Sequence, residues 1–591
     1  MPQITLNGQV RDFKPGQVII QVANAAGVEV PQYCYHDGLS IVASCRICLA
    51  EIWMPDKASG KLAPYMGGKL MPTCQTACMD GMVVYTDSPK SVANQKAVME
   101  YLLINHPLDC PVCDQAGECS LQDYSYEYGR GESRFEETKV KQPKKDLGPN
   151  IYLYSDRCIM CTRCVRFTRE VTGTAELLIS GRGNKEEIDV FPGRPIDNEL
   201  SGNVVDLCPV GALLDKDFLF AQRVWFLKST PSIDGITASG DNILLEHNEG
   251  RIYRVKPRIN MSVNTWWISD EVRHGWKFIH REDRLSGPRI RQFGAPVETE
   301  WKRAITDAVD GMKAAVRAGQ RLAAVISPML SCEDAYALAQ AALAIDAKAF
   351  LAVGPIPTHG VDKVFPPDKP DGFKVYAEKA PNARGVRRVL EAISRSTAHN
   401  GYVATFDQIT SQLASGEIGA ALITGNYPSA WVTQPLMDAL RSAFVVVLDT
   451  LPSALSSRAD VLLPSVTWAE KTGSFENARG MLQGFDRAIP PLEGAKAEAQ
   501  IGLELGNYAG GRGPRIARHG AKDTAPAGLE STTQGATHPR NAELAGYPMY
   551  DATQLRQEMA SIGAGLEVFT AGIVTPIAAA APTPHMEMVE L

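Results

Sequence analysis

Twelve of the thirteen cysteines in this chain lie between residues 34 and 208, and the long stretch after Cys208 holds only Cys332. A reactive thiol is a liability unless its thiolate has a role, so the asymmetry marks where chemistry must shape the fold. The cysteines fall into three spaced sets. The first is Cys34, Cys45, Cys48 and Cys74, with Cys78 nearby; the second is His106, Cys110, Cys113 and Cys119; the third is Cys158, Cys161, Cys164 and Cys208. Each set offers four ligands, the number one iron–sulfur cluster takes. A disulfide framework is disfavoured in so long a chain with its thiols at metal-ligand spacings.

The 591 residues predict about four domains at roughly 150 residues each. A net charge of −7 argues against a nucleic-acid binder, whose phosphate contacts need a basic surface. No run of 18 or more apolar residues is present, so no membrane span is expected. The opening MPQITLNGQVRDF lacks a basic region followed by an apolar core and reads as folded structure rather than a leader.

Asn7-Gly8 between alternating apolar runs predicts a type I′ hairpin, followed by VIIQVANAAG as a strand passing into a helix that ends near Gly27. A hairpin, a helix and then a cysteine loop is the order of a small α+β ferredoxin module. Ser88-Pro89 predicts an N-cap and first turn for a helix carrying Val92, Val98, Tyr101 and Leu102. Pro107 stops it and leaves His106 at its end. Further on, LAAVIS, AALITG and AFVVVLD read as buried strands and EDAYALAQAALAI as a helix, which predicts a parallel α/β domain. After about 490 the chain turns rich in Gly, Ala, Pro and Thr, including an AAAAPTP run. It is expected to be an irregular tail. The resulting division is 1–88, 89–140, 141–222, 223–488 and 489–591.

The first set reads C-x10-C-x2-C-x25-C. It shares the central C-x2-C and the remote closing ligand with plant-type [2Fe–2S] ferredoxins. A four-cysteine zinc site is the competing reading, and either Cys74 or Cys78 closes the set on spacing alone. The second set, H-x3-C-x2-C-x5-C, also suits zinc with three cysteines and a histidine; its flanking motifs favour iron–sulfur. One imidazole in place of a thiolate removes negative charge and should raise the potential of that centre, the direction seen in Rieske centres.

The third set is the most telling. A bacterial ferredoxin run is C-x2-C-x2-C-x3-C-P, and in two-cluster proteins the fourth cysteine serves the other cluster. Here Thr168 stands in the fourth position, and Cys208-Pro209 ends a second run whose earlier ligand positions are Asn198, Ser201 and Val204. One cluster has lost all four ligands, and the other keeps Cys158, Cys161, Cys164 and Cys208. Arg157, Arg163, Arg166 and Arg169 surround this set. They either offset cluster charge or form a solvated basic face, and the latter is the expectation. His36 is read as structural and Cys332 as an ordinary buried residue. No G-x-G-x-x-G follows a strand, no Walker A motif is present, and GGRGP at 510–514 lies in the tail. The chain can carry electrons but offers no flavin or nicotinamide site, so it needs a partner that splits a two-electron donor into single electrons.

Over about residues 1–485 the chain resembles the family of large (75 kDa) iron–sulfur subunits of NADH:quinone oxidoreductase, respiratory complex I. The motifs are CYHDGLSIVASCRICLAEI, CQTACMDGM, HPLDCPVCDQAGECSLQD, DRCIMCTRCVRF, CPVGAL and ADVLLPSVTWAEKTGSFENARGMLQ. The resemblance implies an N-terminal [2Fe–2S] β-grasp module, a one-His/three-Cys module, a degenerate ferredoxin module with one cluster, and a molybdopterin-oxidoreductase-like α/β domain. It places the fourth ligand of the first set seven residues before Gly81, at Cys74, which leaves Cys78 spare. It assigns His106, Cys110, Cys113 and Cys119 to a [4Fe–4S] cluster. Some bacterial members carry a further [4Fe–4S] cluster in a TPTTCALCPVGC-like segment. Here that segment reads TPSIDGITASGD, and Ser269 stands where its last ligand would fall, so that cluster is expected to be missing.

The implied cofactors are one [2Fe–2S] and two [4Fe–4S] clusters, with no molybdopterin and no flavin on this chain. The implied activity is electron transfer from a flavin-bearing NADH subunit toward quinone. The partners would be that flavin subunit and downstream iron–sulfur subunits, with the membrane reached only through partners, on the bacterial cytoplasmic side of the inner membrane. The rival readings are the electron-transfer subunit of an NAD-reducing hydrogenase or formate dehydrogenase, and a multi-zinc scaffold.

Overall fold

A computed structural model describes residues 1–56, 59–395, 397, 401–512, 550–571 and 573. The chain forms two compact units, one of Met1–Leu227 with Val364–Phe373, the other of Lys228–Lys363 with Lys374–Leu591.

The first unit opens on the expected hairpin. Strands Gln3–Leu6 and Gln9–Asp12 pair antiparallel with Leu6 opposite Gln9. Asn7 (φ 46°) and Gly8 (φ 82°) both take the positive φ that a type I′ turn requires. Gln3–Leu6 also pairs in parallel with Met82–Tyr85, which in turn pairs antiparallel with Leu49–Pro55. Helix Ile19–Ala25 buries Ile19, Ile20, Val22 and Ala23 in the same core as Cys48 and Cys74. The strand expected to pass into it is not formed; Val18 makes only a single bridge to Ala77.

Helix Pro89–Leu103 starts at Ser88, whose hydroxyl accepts from Ser91 N at 3.3 Å. Its buried face is Ser91, Gln95, Val98 and Met99, while Tyr101 lies exposed. Lys139 Nζ donates to the terminal carbonyls of Leu103 (2.7 Å) and Ile104 (2.9 Å), which have no partner within the helix. That cap fixes the helix end just before His106.

The second unit is built on a seven-stranded sheet. Five strands run parallel in the order Val461–Pro464, Phe444–Asp449, Ile418–Thr424, Arg321–Ile326, Phe350–Val353, and Arg289–Gln292 and Ala295–Glu298 add an antiparallel edge. The side-chain period of two splits each strand between two cores. Leu322, Ala324 and Ile326 face one core, and Ala323 and Val325 face the other.

The stretch after residue 490 departs from the expected irregular tail. Glu498–Ala509 and Ala552–Ile562 are helices, and Ile501, Leu505, Leu555 and Met559 are buried in the first of those cores. The small residues that read as low complexity serve close helix packing: a Cβ on Gly502 would sit 2.8 Å from the backbone of Ala337. The AAAAPTP run and residues 513–549 lie outside the described residues.

Candidate electron-transfer site

The first ligand set is gathered by three segments. Cys34 sits at a bend after helix Ile19–Ala25, Cys45 and Cys48 sit on one tight loop, and Cys74 follows the short strand Met71–Pro72. Ala43 (φ 50°) and Arg46 (φ 58°) flank Cys45 in left-handed backbone. Such geometry costs a non-glycine residue about 1–2 kcal/mol and concentrates at functional sites. The four sulfurs share hydrogen bonds, Cys34 with Cys45 and Cys74, and Cys48 with Cys74. Those bonds hold Cys34 well below the usual thiol range and push Cys45 and Cys74 well above it. Cys78 stands outside this group, and burial raises its thiol to about 11. His36 is not part of it either; its Nδ1 accepts from Gly38 N at 3.1 Å.

In the third set, Cys158, Cys161 and Cys164 come from a loop that runs into helix Arg163–Glu170, and Cys208 follows helix Asn203–Leu207. Met160 (φ 51°) and Thr162 (φ 63°) again take left-handed backbone, and Met160 N points at Cys158 Sγ at 3.4 Å. All four cysteines line one pocket together with Leu153, Ile188, Val210 and Leu213. Burial raises Cys158 to about 12 and Cys161 to about 11. Thiolates in this pocket therefore need positive charge, such as iron, to form.

In the second set, burial first, then Arg157, lowers His106 to about 4, so its imidazole is neutral at neutral pH with a lone pair to offer. Burial also raises Cys113, which lies within electrostatic reach of Arg157 and Cys110, while Cys119 feels Cys113. A Cβ at Gly211 would overlap Cys113 Sγ at 2.2 Å, so only glycine lets the segment after Cys208 pass this close. Sequence reasoning overlooked Gly211 as a site residue, although it sits in the quoted CPVGAL motif. Among the described residues no group of three or more His, Cys, Asp or Glu is arranged around a single ion. A cluster asks for another arrangement, one protein ligand for each of its four outward positions.

The three sets are linked within the first unit. Ser120 N, next to Cys119, donates to Pro209 O, next to Cys208, at 3.1 Å. Arg157 joins the same two sets, with Asp109 at 2.9 Å and Gly211 O at 3.4 Å. On the other side Arg166 donates to the carbonyls of Cys34 and Cys161, and Arg163 to those of Tyr35 and Leu207. The third set is therefore hydrogen-bonded to both of the others, while Tyr33, beside Cys34, packs against Tyr124 after Cys119 with ring centroids 5.3 Å apart. The expectation of a solvated basic face fails for Arg157 and Arg166, which are 3% and 8% exposed, and holds for Arg169, which is exposed. The cause is local: each buried guanidinium satisfies ligand-loop carbonyls that would otherwise be buried without donors.

In the second unit the segment 230–241 carries Asp234, Thr237 and Asp241 where the cysteines of the TPTTCALCPVGC-like segment stand. These residues form a hydrogen-bonded knot. Asp234 accepts from Ile236 N (2.8 Å), Thr237 N (3.1 Å), the Thr237 hydroxyl and Ser239 Oγ (2.9 Å). Ser269 caps helix Asp270–His274 by accepting from Val272 N at 3.3 Å. Burial raises Asp234 to about 6. An acid whose folded pKa lies above its unfolded value stabilises the fold at low pH, and that contribution is lost as pH rises from about 4 through about 6. Asp234→Asn removes the titration. The stability of the variant relative to the parent should therefore improve over that window by up to about 3 kcal/mol, read from denaturant melts at pH 4 and pH 7.

At the carboxyl ends of the parallel strands, where open α/β sheets bind ligands, the polar groups are tied to one another. Asp449 accepts from Asn426 N (2.9 Å) and Thr450 N (2.8 Å), Ser465 Oγ donates to Asn426 Oδ1 (2.7 Å), and Tyr427 Oη donates to Pro355 O (2.7 Å). Cys332 is fully buried against Asn382.

Comparison with known proteins follows the same division. A family model for a 2Fe-2S iron-sulfur cluster binding domain matches residues 2–89, and one for an NADH-ubiquinone oxidoreductase-G iron-sulfur binding region matches 95–134. Residues 148–214 match the ferredoxin-like domain of NADH-quinone oxidoreductase subunit 3. Residues 227–277 match an NDSU1/NuoG-like 4Fe-4S domain, although this segment holds no cysteine, and 387–508 match molybdopterin oxidoreductase.

The G subunit of the NADH-quinone oxidoreductase of Rickettsia felis is 37% identical over 338 residues, 57% of this chain and 48% of that one. The NADH-ubiquinone oxidoreductase 75 kDa subunit of Reclinomonas americana is 38% identical over 334 residues, 56% and 46% of the two chains. The mitochondrial 78 kDa subunit of Neurospora crassa is 38% identical over 338 residues, 57% and 44%. The matched part of this chain thus spans just under half the length of these relatives. A crystal structure of NAD+-reducing [NiFe]-hydrogenase in the H2-reduced state matches at 25% identity over 38% of this chain and 91% of that one. Its TM-score of 0.32 is too low to bear on fold or function. Over its iron–sulfur modules the chain is similar to the large iron–sulfur subunits of NADH-quinone oxidoreductase, the bacterial G subunits and their 75 kDa counterparts.

Proposed function

We propose that this chain relays single electrons within an NADH:quinone oxidoreductase, from a flavin-bearing partner toward quinone. It would do so through one [2Fe–2S] cluster on Cys34, Cys45, Cys48 and Cys74 and two [4Fe–4S] clusters. One of these is held by His106, Cys110, Cys113 and Cys119, the other by Cys158, Cys161, Cys164 and Cys208. The observation that carries this reading is the gathering of three ligand sets within one unit, bound together by Ser120, Arg157, Arg163 and Arg166. The [2Fe–2S] site lies beside the all-cysteine site, tied to it through Arg163 and Arg166. When bound, the clusters supply one-electron chemistry. The chain holds them apart at fixed spacing, buries them, and offsets thiolate charge with guanidinium groups.

The modules are read as 1–88, 89–140, 141–222 and 223–488. The last is read as a scaffold without molybdopterin, because its strand-end polar groups are occupied and its cysteine is buried. The segment 227–277 is read as a 4Fe–4S module that has exchanged its thiolates for the Asp234 knot. Among the described residues no helix is long and apolar enough to cross a membrane, which suits contact with the membrane through partner subunits, on the cytoplasmic side in a bacterium. Iron and acid-labile sulfide on anaerobically purified protein, with EPR after dithionite, should show one [2Fe–2S] and two [4Fe–4S] centres. Stoichiometric zinc without sulfide would overturn the assignment.

A further inference from the structure

Two arginines sit between the first and third ligand sets, and neither set needs them as ligands. Both lie on helix Arg163–Glu170, which begins at the last two cysteines of the C-x2-C-x2-C run. One nitrogen of Arg166, Nη2, donates to two carbonyls, that of Cys34 in the first set and that of Cys161 in the third, the latter at 3.3 Å. Its Nη1 donates to Ser40 O in the loop between Cys34 and Cys45, and its Nε to Thr162 Oγ1 at 3.3 Å. Arg163 repeats the pattern one turn earlier, from Tyr35 O to Leu207 O at 3.4 Å. Glu170 at the helix end accepts from Ser40 N at 2.8 Å and from the Ser40 hydroxyl, which holds the same loop.

A planar guanidinium is suited to this task. It spreads a permanent charge over several donors in a rigid fork. In a buried setting that charge acts at low dielectric, so it favours the more negative, reduced form of any redox group beside it. Hydrogen bonds and net charge around the ligands are the main levers on cluster potential.

We propose that Arg166, with Arg163 beside it, is a shared positioning bridge between the [2Fe–2S] site and the all-cysteine [4Fe–4S] site, and that its charge raises the reduction potentials of both together. The inference rests on the cluster assignment above and adds a role for two residues that are not ligands. When an electron crosses this gap, one site is oxidised by one electron and the other reduced by one. The arginine stays protonated, so no proton accompanies the step. Because one charge faces both sites, their potentials move in parallel and the driving force between them is preserved.

The test uses the assembled complex, purified anaerobically and titrated potentiometrically with EPR detection. Arg166→Gln should lower the midpoint potentials of the [2Fe–2S] centre and the all-cysteine centre alike, each by at least a tenfold change in redox equilibrium, about 59 mV for one electron. The His106 centre should stay put. Arg166→Lys, which keeps the charge, should restore most of both shifts. Arg169→Gln removes the same formal charge from the exposed side of the helix and should move neither. If Arg166→Gln does not assemble, Arg163→Gln is read by the same criteria. The proposal is overturned if the clusters are present but either of the two potentials is unmoved, or if Arg166→Lys shifts them as far as the glutamine variant. Clusters missing from the parent protein would instead overturn the cluster assignment.

Discussion

Cys208→Ala is expected to erase one reduced [4Fe–4S] signal from the EPR spectrum, to lower the iron content by roughly four per chain, and to leave the [2Fe–2S] signal in place. Cys208 is the one ligand of its set that does not come from the Cys158–Cys164 loop, and the backbone N–H groups of Leu213, Val210 and Ala212 converge on its sulfur. The three remaining thiols lie in a pocket where burial opposes their ionisation. They have no thiolate within reach to complete the set. Losing partners of a ligand usually costs roughly 10–100-fold in metal affinity or activity, so losing the ligand itself should exceed that. Because this set is hydrogen-bonded to both of the others, electron flow from NADH to quinone in the assembled complex should fall to background although the other two centres persist. Cys78→Ser is the matched control. It removes a buried thiol from the same unit but lies outside the hydrogen-bonded group of four, and all three signals should survive it. If Cys78→Ser removes the [2Fe–2S] signal, or Cys208→Ala spares the electron flow, the ligand assignment is wrong.

What the sequence disclosed depended on whether a single residue type carries the chemistry. The cysteine sets stood out because thiols at such spacing point to metal ligation, by zinc or iron–sulfur, and Thr168, Asn198, Ser201 and Val204 were read as gaps in the same pattern. Asn7-Gly8 and Ser88-Pro89 were legible because turn and cap geometry select few residue types. The arginines were not: whether Arg166 faces water or Cys34 O depends on a carbonyl 132 residues away, which no local pattern encodes. The left-handed residues Ala43, Arg46, Met160 and Thr162 carry no composition signal, because their strain is offset by the loop around them rather than avoided by choosing glycine. The stretch after 490 was misread because small residues that bring two helix backbones together, as Gly502 does against Ala337, have the same composition as a flexible segment.

The largest stability effect outside the ligand sets should come from Lys471. Its ammonium lies in the core of the second unit, 1% exposed, with Asp334 at 2.7 Å and Glu498 also paired to it. Burial works against the charge, but the two carboxylates outweigh it and hold the lysine above its ordinary range. Asp334 also accepts from Ser331 Oγ (2.6 Å) and from Ala499 N (2.9 Å), so the triad ties the start of helix Cys332–Ile345 to the start of helix Glu498–Ala509. Lys471→Met removes the only cation from this group and leaves two buried carboxylates facing each other. Breaking a buried pair from one side typically costs about 3–5 kcal/mol, and that is the expected loss in denaturant melts near pH 8. Glu498 already titrates near 7, chiefly through burial and despite Lys471, and losing the lysine should raise it further. The sign then follows. Relative to the parent, the folded variant holds an extra proton only above about pH 7, where parental Glu498 is ionised, so its deficit shrinks as pH falls toward 7 and levels off below it. Glu498→Gln added to Lys471→Met should recover part of the loss, because a neutral amide replaces the charge left unpaired. A deficit below about 1 kcal/mol at pH 8, within the range of an exposed pair, would mean that the triad does not hold these two helices together.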